Sequence, residues 1–284
     1  MKENVRKVLE KQKYAIVGKH SAVQICKWTK NALNKKGVCW KEKFYGLQTH
    51  RCCQCSPAVM WCDNSCVHCW RPIEMNLGNK LPEADNAKEL LDNIIKARKE
   101  LLMGFKGNKN VSKKKFEEAL NPNMFTLSLS GEPTLYPYLP DLIKEIRKRK
   151  SISYLVTNGL HPDMLRRLEK ENALPTQLTV SVNAPTPILF KQWHRSKQAD
   201  AWKKFNETLT WMKEANTRTI FRMTLVKPGK EGLFKDMENM SEKYIPQYIK
   251  LIEKSDPQFI HIKGFKSLGW SRKRMGYDKQ PMHY

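Results

Sequence analysis

A short segment with three closely spaced cysteines constrains this sequence more than any other feature. Within WCDNSCVHCW (61–70), Cys62, Cys66 and Cys69 follow a C-x3-C-x2-C spacing. A structural zinc ion binds four ligands and a disulfide joins two thiols, so a set of three fits neither by itself. Two interpretations are open: a zinc site that also uses Cys55, or a [4Fe–4S] cluster held by three thiolates, with one iron free to bind a small molecule.

All eight cysteines of the chain fall between residues 26 and 69, and none follows. The chain begins with charged residues rather than an apolar signal segment, and no apolar run is long enough to cross a bilayer. These features predict a cytoplasmic protein without a membrane partner. In that reducing compartment, clustered thiols bind metals more often than they form disulfides.

The chain is strongly basic, with 52 Lys and Arg against 28 Asp and Glu and a formal net charge of +24. A salt-bridged, lysine-rich surface would carry more acid, and the basic segments do not share one amphipathic helix, which disfavours a membrane surface. The charge therefore predicts a long polyanion, RNA or DNA, as partner. The basic segments are 106–115, 144–150, 191–204 and 269–279.

After residue 120, β-branched segments alternate with amphipathic ones, which predicts an α/β fold with a parallel sheet and helical crossovers. With the cysteine segment as the first strand, the tally is about six units, as in an incomplete, TIM-like (β/α)6 barrel. We expect strands within 124–133, which ends in a turn, and 153–159, which stops at Asn-Gly, and further strands at 177–185, 217–226 and 259–265. Helices are expected at 84–105, 138–150, 161–170 and 200–215.

Residues 1–50 stand apart as an N-terminal extension with an expected helix at 21–33, and residues 51–284 are assigned to the barrel. The helix expected at 84–105 has an apolar face, which we expect to point into the core. That face consists of Ala87, Leu91, Ile94, Leu101 and Phe105.

The cysteine spacing, followed by a series of βα units, resembles the radical S-adenosylmethionine superfamily. The resemblance implies that Cys62, Cys66 and Cys69 bind a [4Fe–4S] cluster whose open iron holds S-adenosylmethionine. It also implies cleavage of that cofactor to a 5′-deoxyadenosyl radical, which takes a hydrogen atom from the substrate. His68 stands where the family usually has another aromatic residue, directly before the last cysteine.

Small and polar residues follow the expected strands, at the edge where parallel α/β folds bind ligands. The motif SGEP (130–133) is similar to the glycine–glutamate motif of the superfamily, in which the carboxylate binds the cofactor ammonium. For an isolated carboxylate or an Asn-Gly pair, a solvated side chain or an ordinary turn is the alternative. The expected cofactor-binding residues are Gly131, Glu132, Thr157, Asn158, Ser181 and Asn183.

A second set of cysteines, Cys26, Cys39 and Cys52, has a C-x12-C-x12-C spacing. Isolated buried thiols are the alternative to a metal site here. Both triplets and several motifs resemble archaeal tRNA 4-demethylwyosine synthases of wybutosine biosynthesis, over about residues 8–284. The resemblance implies a second [4Fe–4S] cluster, also with an open iron, on this second set. The motifs are RCCQCSPAVMWCDNSCVHCWRP, VGKHSAVQICKW, LSLSGEPTLYPYLP, YLVTNG, LTVSVNAPT and GFKSLGWSRKRM.

The same resemblance implies the substrates and partners. They are tRNA-Phe carrying N1-methylguanosine 3′ of the anticodon, pyruvate, and an external one-electron donor of the flavodoxin or ferredoxin type. Pyruvate gives two carbons to a third ring and loses its carboxyl carbon. A monomer is the default expectation. The family continues into a closing helix after YDKQPMHY (277–284), which implies a clipped carboxyl terminus.

Two ways of holding pyruvate are open. The open iron of the second cluster could chelate it as a Lewis acid, or a lysine could bind its ketone as a Schiff base. Lys41 and Lys43 follow Cys39 closely, and Lys41 is the first choice as catalytic residue. Cys53 and Cys55 are core thiols in this interpretation, unless one of them replaces Cys52.

The implied tRNA requires groups that grip phosphates and stack on a flipped base. Candidate stacking residues are Trp193, Trp270 and Tyr136, each of which could equally be a packing residue. Candidate phosphate contacts are Arg51, Lys106 to Lys115, Arg195 and Arg272 to Arg274.

Two other functions compete with this one. A glycyl-radical activase with an auxiliary cluster would share the Cys62 triplet but would not explain the positive charge. A non-catalytic RNA-binding protein with structural zinc would require four closed ligands and would not bind S-adenosylmethionine.

Overall fold

The structure, a computed structural model, describes residues 1–230, 234–276 and 280. The chain divides into two compact units. The first comprises Met1–Val59 and Lys80–Leu155, and the second comprises Met60–Asn79 and Val156–Tyr284. The predicted boundary at residue 50 stays a prediction. The predicted clipping of the carboxyl terminus concerns residues 277–284, of which only Gln280 is described.

The first strands of the first unit pair antiparallel, and the later strands pair in parallel. Strand β2 pairs antiparallel with β1 and β3, whereas β3, β4 and β5 are mutually parallel in that order. The strands are β1 (Ala15–Val17), β2 (Ser21–Gln24), β3 (Cys52–Ser56), β4 (Met124–Leu127) and β5 (Ile152–Thr157). The helices are α1 (Glu3–Lys11), α2 (Lys27–Leu33), α3 (Trp40–Tyr45), α4 (Ala87–Met103), α5 (Lys113–Ala119) and α6 (Leu139–Lys148).

The second unit continues the alternation of strands and helices. Strands β6 and β7 pair in parallel, with Ser181 opposite Arg222, and β7 pairs in parallel with β8. The strands are β6 (Gln177–Ser181), β7 (Arg218–Leu225) and β8 (Phe259–Gly264). The helices are α7 (Pro162–Lys170), α8 (Pro187–His194), α9 (Ala201–Met212), α10 (Ile245–Ser255) and α11 (Gly269–Met275).

The predicted α/β class with a parallel sheet is confirmed, and it is consistent with a partial TIM-type barrel. In the described part of the chain, three parallel strands lie in each unit, β3 to β5 and β6 to β8. The segment 124–133, expected to be a strand that ends in a turn, contains β4 (Met124–Leu127), and the short turn at Pro133–Leu135 follows. The four predicted helices are present as α4, α6, α7 and α9.

The single helix expected at 21–33 is wrong. Residues 21–24 form β2, where Val23 pairs with Ala15 on one side and with Cys55 on the other. Pairing with two strands therefore overrides the local helical pattern. The helix begins only after Cys26, whose sulfur caps it by accepting a hydrogen bond from the Thr29 backbone N–H at 3.3 Å.

The apolar face of α4 is partly as predicted. Ala87, Leu91 and Ile94 are buried, whereas Leu101 and Phe105 are only partly buried. The prediction missed Arg98, whose side chain is fully buried. Its guanidinium donates hydrogen bonds to three backbone carbonyls, which gives the buried charge its partners and fixes the start of β3. They are those of His50 at 3.0 Å, Cys52 at 3.1 Å and Ala119.

No helix among the described residues is both long and apolar enough to cross a bilayer.

Candidate active site

The predicted cluster-binding segment is a loop in the second unit, and its three thiols lie near one another. The Cys66 thiol interacts electrostatically with Cys62 and Cys69. Desolvation by the surrounding protein raises the pKa of Cys66 well above its ordinary value, and it also raises that of Cys69. Neutral thiols of this kind lose their protons when they bind a metal.

A [4Fe–4S] cluster and a single zinc ion require different arrangements of these thiols. Among residues 1–230, 234–276 and 280, no three His, Cys, Asp or Glu side chains converge so that one metal ion could bind. A zinc ion requires such convergence. A [4Fe–4S] cluster binds each thiolate through a different iron, so its ligands surround a larger volume.

The end of helix α8 supports the backbone of this loop. The Ser65 N–H donates to the His194 carbonyl at 2.9 Å, and the Val67 N–H donates to the Trp193 carbonyl at 3.1 Å. The last carbonyls of a helix have no partner within the helix, so the loop completes the hydrogen bonding of α8.

A buried carboxylate anchors the start of the loop. Asp63 follows Cys62 directly, and its side chain is 0 % exposed. It accepts hydrogen bonds from His161 Nε2 at 2.7 Å and from Gln198 Nε2 at 2.6 Å. Burial alone would raise the pKa of Asp63, but hydrogen bonds from His161, Gln198 and Asn158 hold it below its ordinary value. Asp63 therefore stays ionised and joins the loop to α7 and to the segment after α8.

The other end of the loop is held from α11. The guanidinium of Arg274 donates to the carbonyl of Arg71 at 2.9 Å and also to those of Val67 and Cys69. It forms an ion pair with Glu74 at 2.9 Å. Arg274 therefore supports the loop, and its predicted role as a phosphate contact stays a prediction.

Two buried histidines lie beside the thiols. The His68 ring stacks on the Trp193 ring at 5.5 Å between centroids, and His194 Nδ1 lies 3.2 Å from Cys66 Sγ. Burial lowers the pKa of His68 to about 3, with Arg274 and Arg222 contributing, and burial next to His68 lowers that of His194 to about 3. Both rings are therefore neutral at physiological pH.

The predicted cofactor residues of the second unit lie at strand ends, as expected. Thr157 Oγ1 accepts from the Gly159 N–H at 3.1 Å, which makes it part of a turn. Asn158 Nδ2 lies 3.9 Å from Cys62 Sγ, so this residue reaches the cysteine loop. Gly159 has φ +77°, and a Cβ there would lie 3.2 Å from Val180, so the turn requires glycine.

The other two predicted cofactor residues, Ser181 and Asn183, lie at the end of β6 and just after it. Ser181 ends the strand opposite Arg222, and Asn183 Oδ1 accepts from the Thr224 N–H at 3.0 Å. Sequence reasoning missed Arg222. The surrounding protein lowers its pKa by desolvation, and its charge also lowers the pKa values of His68 and His261.

The glycine–glutamate motif lies in the first unit, after β4. Gly131 has φ +74°, a conformation that favours glycine. Glu132 is buried, and its Oε1 accepts from the N–H of Thr134 at 3.1 Å and from its hydroxyl at 2.7 Å. Part of this carboxylate therefore caps the short turn at Pro133–Leu135, and its role towards the cofactor stays a prediction.

The second set of thiols is brought together within the first unit. Cys26 precedes α2, Cys39 precedes α3, and Cys52 begins β3. The Cys39 thiol interacts electrostatically with both others. Burial raises the pKa of Cys39 and of Cys52. These three thiols therefore lie near one another in the first unit, and their role as ligands of a second cluster stays a prediction.

Lys41 lies at this thiol cluster. Its side chain is buried, with the residue only 7 % exposed. Its backbone N–H donates to the Cys39 sulfur, and its Nζ lies 3.7 Å from Cys52 Sγ and 2.7 Å from Thr126 Oγ1. Nζ also lies 4.3 Å above the Tyr154 ring. Lys43, by contrast, is exposed.

Cys53 and Cys55 lie on the opposite face of β3 from Cys52, because successive strand residues point to opposite faces. Their side chains hydrogen-bond to each other and lie near Arg98. Neither thiol can therefore replace Cys52 at the second set without a change of register.

Two predicted base-stacking residues are wrong. Trp193 and Tyr136 are buried, and the Tyr136 hydroxyl donates to the Asp85 carbonyl at 2.7 Å. Trp270 is partly exposed, and Arg195 is exposed, so both remain candidates.

Comparisons with known proteins agree with this arrangement. The Radical SAM superfamily model matches residues 57–237. The S-adenosyl-L-methionine-dependent tRNA 4-demethylwyosine synthase of Pyrococcus abyssi is 42% identical over 284 residues, covering 100% of this chain and 80% of that protein. The protein of that name from Methanocaldococcus jannaschii is 34% identical over 287 residues, covering 99% of this chain and 86% of that protein.

Two solved structures are similar throughout. A structure of TYW1 with a lysine-pyruvate adduct bound gives a TM-score of 0.84 at 33% identity, covering 99% of this chain and 85% of that one. A crystal structure of archaeal TYW1 gives a TM-score of 0.75 at 32% identity, covering 93% and 83%.

The parallel α/β fold, the three-thiol loop and the superfamily match define a radical S-adenosylmethionine enzyme. Membership of that superfamily implies a [4Fe–4S] cluster and S-adenosylmethionine as cofactors. Within it, the chain belongs to the family of S-adenosyl-L-methionine-dependent tRNA 4-demethylwyosine synthases, as its full-length similarity shows. The resemblance inferred from the sequence is confirmed, and the name of the family implies a tRNA substrate.

Proposed function

We propose that this enzyme condenses N1-methylguanosine, 3′ of the anticodon in tRNA-Phe, with pyruvate to give 4-demethylwyosine. In this proposal Cys62, Cys66 and Cys69 hold the [4Fe–4S] cluster, which with bound S-adenosylmethionine supplies a 5′-deoxyadenosyl radical. That radical takes hydrogen from the N-methyl group. The methylene radical then adds to the carbonyl carbon of pyruvate, and the bond to the carboxyl carbon breaks, which restores the carbonyl and releases a CO2 radical anion. This anion leaves as CO2 after passing one electron to a cluster, or as formate after gaining one electron and a proton. An amine of the base then condenses with the carbonyl, loses water and closes the ring as an imine.

The position of Lys41 is the observation that supports pyruvate as a substrate. A Schiff base forms when a lysine nitrogen attacks the ketone and water leaves. Lys41 places its nitrogen 3.7 Å from Cys52 Sγ and 2.7 Å from Thr126 Oγ1, in a buried position. A pyruvate adduct with a lysine is present in one of the similar solved structures. Lys43 lacks this environment because its side chain is exposed.

The second thiol set lies beside Lys41, so a cluster bound there would be close to a pyruvate molecule held by this lysine. Cys26, Cys39 and Cys52 would hold a second [4Fe–4S] cluster, whose open iron can act as a Lewis acid towards an oxygen ligand. Lys41 contacts two of these three thiols. The Schiff base and the Lewis acid are therefore local to one site in the first unit, and the two ways of holding pyruvate need not exclude each other.

The other predicted partners complete the proposal. The net charge of +24 supplies the attraction for tRNA phosphates, with the exposed lysines between residues 106 and 115 and Arg195 as candidate contacts. A flavodoxin or ferredoxin would deliver the electron, and a reducing compartment such as the cytosol would preserve the thiols. A monomer suffices for both thiol sets, because each lies within one chain.

Borohydride trapping tests the assignment of Lys41. The reconstituted protein is incubated with labelled pyruvate, reduced, digested and mapped by mass spectrometry. We expect label on Lys41 in the parent, none in Lys41→Met, and parent-like label in Lys43→Met, which is the matched control. Lys41→Met should still release 5′-deoxyadenosine but form no 4-demethylwyosine on methylated tRNA-Phe. Label at Lys43, or product formed by Lys41→Met, would contradict the assignment.

A further inference from the structure

His194 is aimed at one of the three loop thiols. It is the last residue of α8, it is buried, and its Nδ1 lies 3.2 Å from Cys66 Sγ. Its carbonyl also accepts the hydrogen bond from the Ser65 N–H. The side chain and the backbone of His194 therefore contact consecutive residues of the cysteine loop.

The chemistry of the sulfur decides the direction of this hydrogen bond. A thiolate bound to iron has no proton and can only accept. A neutral imidazole carries one N–H, on Nδ1 or on Nε2. Nε2 of His194 is buried and has no hydrogen-bond partner among the described residues, so nothing there competes for the proton. When Cys66 binds iron, its sulfur can only accept a hydrogen bond, so the tautomer with the proton on Nδ1 allows His194 to donate to Cys66 Sγ.

The ring is held in this orientation by its surroundings. The Phe190 ring, one turn earlier in α8, lies 4.4 Å from the His194 ring between centroids, and the His68 ring lies 6.2 Å away in an edge-on arrangement. The carbonyl of Trp193, directly before His194, accepts a hydrogen bond from the Val67 N–H. Gln198, four residues after His194, donates a hydrogen bond to Asp63. The donor is therefore preorganised, and little conformational entropy is lost when the hydrogen bond forms.

We propose that His194 is a positioning residue which donates its Nδ1–H to the Cys66 thiolate and thereby raises the reduction potential of the cluster on that loop. Hydrogen bonds to cluster sulfurs favour the reduced, more negative state. The inference rests on the proposed ligand role of Cys66, and it adds to that role a residue from a different part of the chain.

A pair of variants of nearly equal size tests the donor. His194→Leu removes the N–H, whereas His194→Asn retains an amide N–H near the position of Nδ1. The reconstituted holoproteins are titrated anaerobically, and the reduced loop cluster is followed by electron paramagnetic resonance in the presence of S-adenosylhomocysteine, which lacks the sulfonium that a reduced cluster cleaves. We expect about a tenfold drop in the ratio of reduced to oxidised cluster for His194→Leu, or about 59 mV for one electron. His194→Asn should remain close to the parent.

The outcomes are distinguishable. Equal potentials for the parent and both variants, or equal shifts for the two variants, would overturn the inference while leaving the proposed function intact. A parent protein that binds no cluster able to cleave S-adenosylmethionine would overturn both. Should His194→Leu fail to retain iron, the parent carrying [δ1-15N]histidine decides. A 15N hyperfine coupling to the reduced cluster, lost in His194→Asn, supports the hydrogen bond, and its absence in the parent contradicts it.

Discussion

Lys41 donates a hydrogen bond from Nζ to the hydroxyl of Thr126, at 2.7 Å, inside the first unit. The same hydroxyl lies 3.3 Å from Cys52 Sγ, so Thr126 contacts both the proposed pyruvate-binding lysine and a proposed cluster ligand. Thr126 therefore connects Lys41, which lies in α3, with Cys52, which begins β3.

Thr126→Val should therefore slow the formation of the pyruvate adduct. The substitution keeps the shape of the side chain but removes a hydrogen bond of about 1 kcal/mol, which corresponds to roughly fivefold in the rate of borohydride trapping. Thr126→Ser retains the hydroxyl and is the matched control. Equal trapping rates for the valine and serine variants would contradict the proposed role of the Thr126 hydroxyl.

Asp63→Asn should destabilise the second unit. The change removes a buried negative charge that accepts hydrogen bonds from His161 and Gln198, and we expect the free energy of unfolding to fall by about 2 kcal/mol. Asp163→Asn is the control, because that carboxylate is 92 % exposed and pairs only at the surface with Arg166. Equal thermal midpoints for the two variants would show that Asp63 does not brace the loop.

Acid should destabilise the protein partly through His261. Burial, with Arg222 and Lys263 nearby, lowers the pKa of this imidazole to about 4 in the folded state. The unfolded chain binds a proton at the ordinary value of about 6.5, so the stabilising contribution is complete above pH 6.5 and is lost as the pH falls towards 4.

His261→Gln should consequently lose less stability on acidification than the parent. Between pH 7.5 and pH 5 we expect a difference of about 1 kcal/mol in the free energy of unfolding, after allowance for the partial exposure of the ring. Denaturant unfolding of both proteins at the two pH values measures it. If the pH-dependent loss is identical in both proteins, the ring is not buried as described.

Much of the fold could be predicted because it follows from local patterns. Strands such as Gln177–Ser181 and helices such as Pro162–Lys170 carry their own periodicity and boundaries. The helix expected at 21–33 failed because β2 is a strand only by virtue of its two neighbours, one of them remote in sequence. Arg98 was missed for a related reason, since its carbonyl partners come from other parts of the chain.

The site shows the same division. Cysteine spacing together with the family resemblance predicted both thiol sets, and proximity in sequence to Cys39 led to the choice of Lys41. The supporting residues His194 and Arg274 had no signal in the sequence, because each acts on a loop more than a hundred residues away along the chain. The sequence predicted Arg274 as a phosphate contact and made no prediction for His194, and only the fold shows that α8 and α11 turn these two residues towards the cysteine loop.

The central claim, that the chain carries two iron–sulfur clusters with Cys52 serving the second, is tested most directly by iron and sulfide content. Parent, Cys52→Ala and Cys53→Ala proteins are reconstituted anaerobically and analysed together; the last is the matched control, because Cys53 adjoins Cys52 but faces the other side of β3. We predict about eight irons for the parent and for Cys53→Ala, and about four for Cys52→Ala. About four irons in all three proteins would contradict the account.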